Sequence, residues 1–170
     1  MPAATPAPAP TPASAATRAA RIAALRALPK QARTAVAGLT PGQLDTPYRP
    51  GGWTVRQVVH HLADAHMNAF IRMKLVLTEE HPTLKPWDQD TWARLADSAA
   101  APVEESLATL DGVHARMARV LEGTPAAAFA RSAFHPENGE MTLDSLLEIY
   151  SGHGPHHVEQ ILALRRARGW

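Results

Sequence analysis

Residues 54–79 read TVRQVVHHLADAHMNAFIRMKLVLTE, and their spacing decides the fold. Val55, Val58, Val59, Leu62, Ala65, Ala69, Met73 and Val76 recur at the three- and four-residue intervals of one helix face. Thr54 and Gln57 stand three apart at the head of this run, the spacing of a capping box that satisfies two backbone N–H groups at a helix start. The pattern predicts a long helix from Thr54 to about Glu79.

The same reading extends in both directions. Ala15 to Leu39 is rich in Ala, Leu and Arg with Ile22, Leu25 and Leu28 in register, which predicts a helix with a kink at Pro29. Residues 40–53, TPGQLDTPYRPGGW, are dense in turn formers and predict a loop with one short helical turn. Residues 80–90, EHPTLKPWDQD, predict a proline-punctuated crossover, longer than a tight helical hairpin needs. A third long helix is expected from about Pro102 to Leu121, with proline in its first turn. Residues 124–142 are irregular, and FHPENGEM at 134–141 suits a turn or a small hairpin. The last helix is expected from Leu143 to Arg168. Without alternating strand patterns or internal repeats, four long helices predict an all-α fold. Its architecture is a four-helix bundle with at least one crossover connection, over residues 15–170. Residues 1–14, MPAATPAPAPTPAS, carry nothing that anchors a core and are expected to be a disordered, partly polyproline-like tail.

Composition narrows the chemistry. A chain of 170 residues is long enough for one domain with a real core. The net charge of +1 gives no electrostatic case for nucleic acid or an anionic membrane. Arg165, Arg166 and Arg168 suit the negative end of a C-terminal helix. The absence of cysteine excludes disulfides, thiolate metal sites and a cysteine nucleophile, leaving His, Asp and Glu as ligands. It is compatible with a reducing cytosol. No membrane span and no secretory signal are recognisable, so a cytoplasmic protein is expected.

Histidine is the residue type that carries a signal. Residues 150–161 read YSGHGPHHVEQI, and His153 and His157 stand four apart, one above the other on a helix face. Taken at 100° per residue, the apolar stripe of Leu143, Leu146, Tyr150, Ile161 and Leu164 includes both. His156 falls at its edge and Gln160 near His153. Two stacked imidazoles and a third from elsewhere make an open cage for a catalytic transition metal. The segment His60-His61-Leu62-Ala63-Asp64-Ala65-His66 could supply the third. There His60 points away from the core toward Arg56 and Asp64 and is expected to be solvated, His61 lies at the edge of the stripe, and His66 lies within it. Phase alone nominates His66 or His61 and favours His66.

The runs QLDTPYR at 43–49, GGWTVRQVVHHLADAHMN at 51–68 and KLVLTEE at 74–80, together with His153-x-x-x-His157, closely resemble the YfiT-type proteins of the DinB-like superfamily. The resemblance covers about residues 35–170. It implies a four-helix bundle, a homodimer and three metal-binding histidines, which fall by motif on His61, His153 and His157. His66 then becomes a core histidine or one that supports a ligand. Gln160 matches the wider pattern His-x-x-x-His-x-x-Gln, and Pro155 is expected to bend the helix between the two ligands.

Three neutral imidazoles leave a divalent ion at least one open position. Zinc fits the ligand type best, and nickel or another first-row ion is compatible. The resemblance implies a metal-dependent hydrolase that activates water toward a small-molecule substrate. An alternative is a transferase in which the ion holds a low-molecular-weight thiol of the bacillithiol type as thiolate. A third reading is a helical metal-binding protein without catalysis. Asp64 is a candidate base or orienting carboxylate. Trp53, Trp87, Trp92 and Tyr48 are expected mainly to fasten loops onto the bundle, with a pocket mouth as the lesser alternative.

Overall fold

The structure, a computed structural model, describes residues 13–170. Four long helices form the bundle: α1 (Ala15–Val36), α3 (Val55–Thr78), α6 (Val103–Glu122) and α7 (Leu143–Arg168). Short helices α2 (Pro41–Leu44), α4 (Gln89–Ala93) and α5 (Ala96–Ala100) lie in the connections. A 3-10 turn at Ala126–Ala130 precedes an antiparallel hairpin of β1 (Ser132–His135) and β2 (Gly139–Thr142). The expected disordered tail lies outside the described residues except for its last two. Of these, Ser14 caps α1 and the Ala13 N–H donates to Asp144.

The expected helix starts are explained by their caps. Thr54 and Gln57 form the capping box of α3, and Thr142 and Ser145 do the same for α7. Each box satisfies two otherwise unpaired N–H groups. Pro155 does not interrupt α7, which runs unbroken to Arg168. Its missing N–H forfeits one bond of the helical ladder without ending the helix. Gly154, beside it, lets α1 and α7 pack closely. A Cβ there would stand 2.3 Å from Leu28 Cδ2, so α1 and α7 touch where only hydrogen fits.

Around the bundle the order is α1, α6, α3, α7, because α1 packs on α6 and α7 while α3 packs on the same two helices. Side-chain bonds give the directions. Arg18 pairs with Asp144 near the starts of α1 and α7, and Arg165 donates to the Ala35 and Ala37 carbonyls near their ends, so these two run parallel. Arg165 thus serves the C-terminus of α1 rather than that of its own helix. Arg26–Glu122 and Arg33–Asp111 make α1 and α6 antiparallel. Since α3 and α6 are parallel neighbours, the chain must cross the length of the bundle between them. The crossover spans 79–102 and holds α4 and α5, which the sequence pattern did not anticipate. Leu84 N–H donates to the Phe134 carbonyl at 2.8 Å, tying it to the hairpin.

The crossover also corrects the placement of His60. With α5 and the start of α6 against that face of α3, His60 is 5% exposed rather than solvated. Its Nε2–H donates to the Ala101 carbonyl and its Nδ1 accepts from the Ser106 hydroxyl. The core divides into two apolar clusters. One is built around Leu25, Met73, Met117 and Leu146, the other around Leu28, Leu62, Leu110 and Ile161. No helix among the described residues is long and apolar enough to cross a membrane.

Candidate metal centre

At mid-height, α3 and α7 bring His61, His153 and His157 together. One nitrogen from each ring lies within 4.8 Å of the other two, and these three form the only such His, Asp or Glu group among the described residues. His61 Nε2 and His153 Nε2 are 3.2 Å apart. Two bonds of 2.0–2.1 Å to a tetrahedral ion would set ligand nitrogens roughly 3.3 Å apart. The separation therefore suits a coordination edge, whereas as a hydrogen bond it is long.

Hydrogen bonding selects the free nitrogens. His157 Nδ1 lies 2.8 Å from Gln160 Oε1, an atom that only accepts, so the proton sits on Nδ1 and Nε2 keeps its lone pair. Gln160 Nε2 in turn donates to His156 Nε2 at 3.0 Å. His153 Nδ1 faces His66 Nε2 at 3.3 Å, leaving its own Nε2 toward His61. Burial keeps the rings uncharged. It pushes His61 down to about 2 and His153 down to about 3, with repulsion from neighbouring imidazoles adding to it. His157 is lowered mainly by burial, against a raising contribution from Gln160. Three neutral imidazoles with converging lone pairs are the donor set a divalent transition metal requires.

Aromatic side chains close over this set. The Trp53 ring is 4.6 Å from His61 and 6.4 Å from His157, and Trp87 stacks on His61 at 5.8 Å. Trp53 Nε1 donates to Asp90 at 3.0 Å, and Trp92 packs 4.6 Å from Trp87. The tryptophans do fasten the loops, as expected, but Trp53 and Trp87 land on the candidate ligand. The reading that kept them from the site is corrected to that extent. Tyr48 packs instead against the apolar cluster of Leu28, Leu62, Leu110 and Ile161 and against Arg49.

The other nominated residues are placed less centrally. His66 is fully buried beside His153 and does not join the three-nitrogen group. Asp64 is half-buried near Asp97 and lies outside both that group and the adjoining cavity. Burial, then repulsion from Asp97, lifts its carboxyl to about 6.

A cavity of about 180 Å³ opens beside His153, lined also by Tyr150, Arg72, Trp87, His135, Asn138 and Glu137. Arg72 is held by two neutral acceptors, the Tyr150 hydroxyl at 2.9 Å and the Lys85 carbonyl at 2.6 Å. His135 Nδ1 accepts from the Glu137 N–H at 3.2 Å, which leaves the ring proton on Nε2. Burial and then Arg72 lower its proton affinity. Of these cavity groups Trp87, Tyr150 and His153 were named from sequence, but Arg72, His135, Glu137 and Asn138 were not, because an arginine and a short hairpin carry no periodic signal. The buried His114 was also missed, although it shares the stripe of Leu110, Met117 and Leu121.

The comparisons bear on family and fold. The profile of the DinB superfamily matches residues 24–161. The chain superposes on YfiT from Bacillus subtilis, described as a probable metal-dependent hydrolase with an unusual four-helix bundle topology. The TM-score is 0.92 with 42% identity, covering 96% of this chain and 94% of that one. A relative from Geobacillus kaustophilus, whose name carries the same provisional assignment, is 54% identical over 151 residues, covering 88% of this chain and 84% of its own. Aligned by sequence, YfiT itself is 47% identical over 150 residues.

Proposed function

The chain belongs to the DinB superfamily, and from that premise we propose that it is a metal-dependent hydrolase whose ion, zinc by ligand type, is held by His61, His153 and His157. The observation that carries this reading is the convergence, within 4.8 Å, of one nitrogen from each of three neutral imidazoles, one buried and two half-buried. When bound, the ion supplies a water activated near neutral pH and a Lewis acid for a carbonyl oxygen.

The protein's own groups do the rest. Gln160 keeps the His157 proton on Nδ1 and its lone pair on the centre. Trp53 and Trp87 limit water around His61, which lowers the local dielectric and strengthens each polar contact with substrate. The cavity beside His153 is the natural substrate pocket. Arg72, without an ion-pair partner among the described residues, and the Nε2–H of His135 are cationic and neutral donors there. They favour a small substrate bearing a carboxylate. Glu137, at the exposed turn of the hairpin, also lines the cavity and would repel a second anionic group.

The test is cleavage of matched aryl esters, one carrying a distal carboxylate and one its neutral isostere. Zinc-loaded protein should cleave the anionic ester faster, without added thiol, and lose the activity on metal stripping. Turnover only with added thiol and an electrophile would replace hydrolysis with thiol transfer at the same three histidines. Absence of any metal-dependent turnover would leave a binding protein.

A further inference from the structure

A layer of imidazoles separates the two apolar clusters of the core: His66 from α3, His114 from α6 and His153 from α7. His66 is 0% and His114 1% exposed. Their contacts constrain the ring protons from both ends. His114 Nδ1 lies 2.6 Å from the Leu25 carbonyl oxygen, which can only accept, so His114 carries its proton on Nδ1 and Nε2 is a bare lone pair. At the other end, His153 turns Nε2 to His61 and Nδ1 to His66 Nε2 at 3.3 Å. A neutral ring that ligates through Nε2 keeps its proton on Nδ1, so His66 Nε2 must accept. The His66 proton then sits on Nδ1.

This leaves one donor, His66 Nδ1–H, and one acceptor, His114 Nε2, on rings whose centroids are 4.7 Å apart. These two atoms, with His61 Nδ1, are the buried side-chain polar atoms without a partner among the described residues. Each bears the cost of an unpaired buried polar group, since the two rings pack on each other without a hydrogen bond between them.

We infer that His66 is a positioning residue, whose Nε2 accepts from the Nδ1–H of His153 and so holds the His153 Nε2 lone pair on the three-histidine centre. His114, fixed by its own donation to the Leu25 carbonyl, packs against the His66 ring and holds it in place without a hydrogen bond between them. A buried acceptor of this kind fixes the tautomer of a ligating ring and raises its basicity. The inference rests on His153 acting as a ligand.

Long-range proton–nitrogen NMR of the histidine rings in zinc-loaded wild-type protein reads the tautomers without any substitution. The expected result is the His66 proton on Nδ1 and the His114 proton on Nδ1. A His66 proton on Nε2 overturns the inference. Zinc affinity, measured by competition with a chromophoric chelator, adds a second readout. His66→Gln, whose amide oxygen can still accept from His153, should hold zinc within a few-fold of wild type. His66→Leu should lose roughly ten- to a hundredfold, as removal of a supporting partner does. Unchanged affinity in His66→Leu sinks this inference alone, whereas failure of the wild-type chain to bind zinc sinks the metal reading beneath it.

Discussion

Gln160 shows how one side chain decides the chemistry of another. Its amide oxygen accepts from His157 Nδ1–H, and with Gln160→Leu that proton loses its partner while the imidazole gains freedom to turn. Zinc affinity should fall about ten- to a hundredfold with the fold intact, checked by chelator competition and circular dichroism. At Arg72 the effect belongs to the substrate. Arg72→Met should raise KM for the carboxylate-bearing ester about tenfold or more and leave the neutral ester nearly unchanged; an equal loss on both would contradict its assigned role. The histidine pair at 153 and 157 was legible because a helix turns a four-residue spacing into one face. The third ligand was not. α3 has α6, α7, α5 and the tryptophan loops around it, so His60, His61 and His66 are all buried and an apolar stripe does not say which side meets α7. Motif likeness nominated His61, the ring whose nitrogen joins those of His153 and His157.

At the scale of elements, the long helices were readable from period and caps. Thr54 and Gln57 mark the start of α3, and Leu143 to Arg168 are the bounds of α7. The crossover was less legible, since five-residue helices are too short to show a period and are held by contacts with α3. Gly154 provides the sharpest test of helix packing. Gly154→Ala places a methyl against Leu28, which is 0% exposed, and should destabilise the protein by about 1–3 kcal/mol despite alanine's better helix propensity. Leu28→Ala alone should cost about 2–5 kcal/mol through the cavity it leaves. In the double variant the two changes share one space, so denaturant melts should show a combined cost below the sum. Strict additivity would mean that the helices do not meet there.

The whole molecule places seven buried or half-buried histidines in a bundle with one connection that crosses its length. His60, His61, His66, His114, His135, His153 and His157 are all shifted down, burial being the first cause in each. In the unfolded chain each would titrate near 6.5. Below that pH the unfolded state binds protons that the metal-free folded state refuses, so stability is complete above about pH 6.5 and declines as pH falls. The limiting slope is about 1.4 kcal/mol per pH unit for each proton of difference. Asp144, held down by its bond to Arg18, adds to the loss at lower pH, and Asp64, raised to about 6, opposes it through a single proton. Melting temperature of the metal-free protein should therefore drop steadily from pH 7 to pH 5; a flat profile would mean that these rings are not buried neutral in solution. Bound metal should raise stability by about 2.7 kcal/mol at a free concentration one hundred times Kd. The parallel pairing of α3 with α6 could not be read from the sequence beyond the length of the crossover, since helical period carries no direction.

The most direct measurement is the metal content of the untagged chain after gel filtration, by elemental analysis, beside His61→Ala and His157→Ala prepared in the same way. One divalent ion per wild-type chain, lost in both variants while helicity is retained, is the predicted result. Full retention of the ion in either variant would contradict the three-histidine centre.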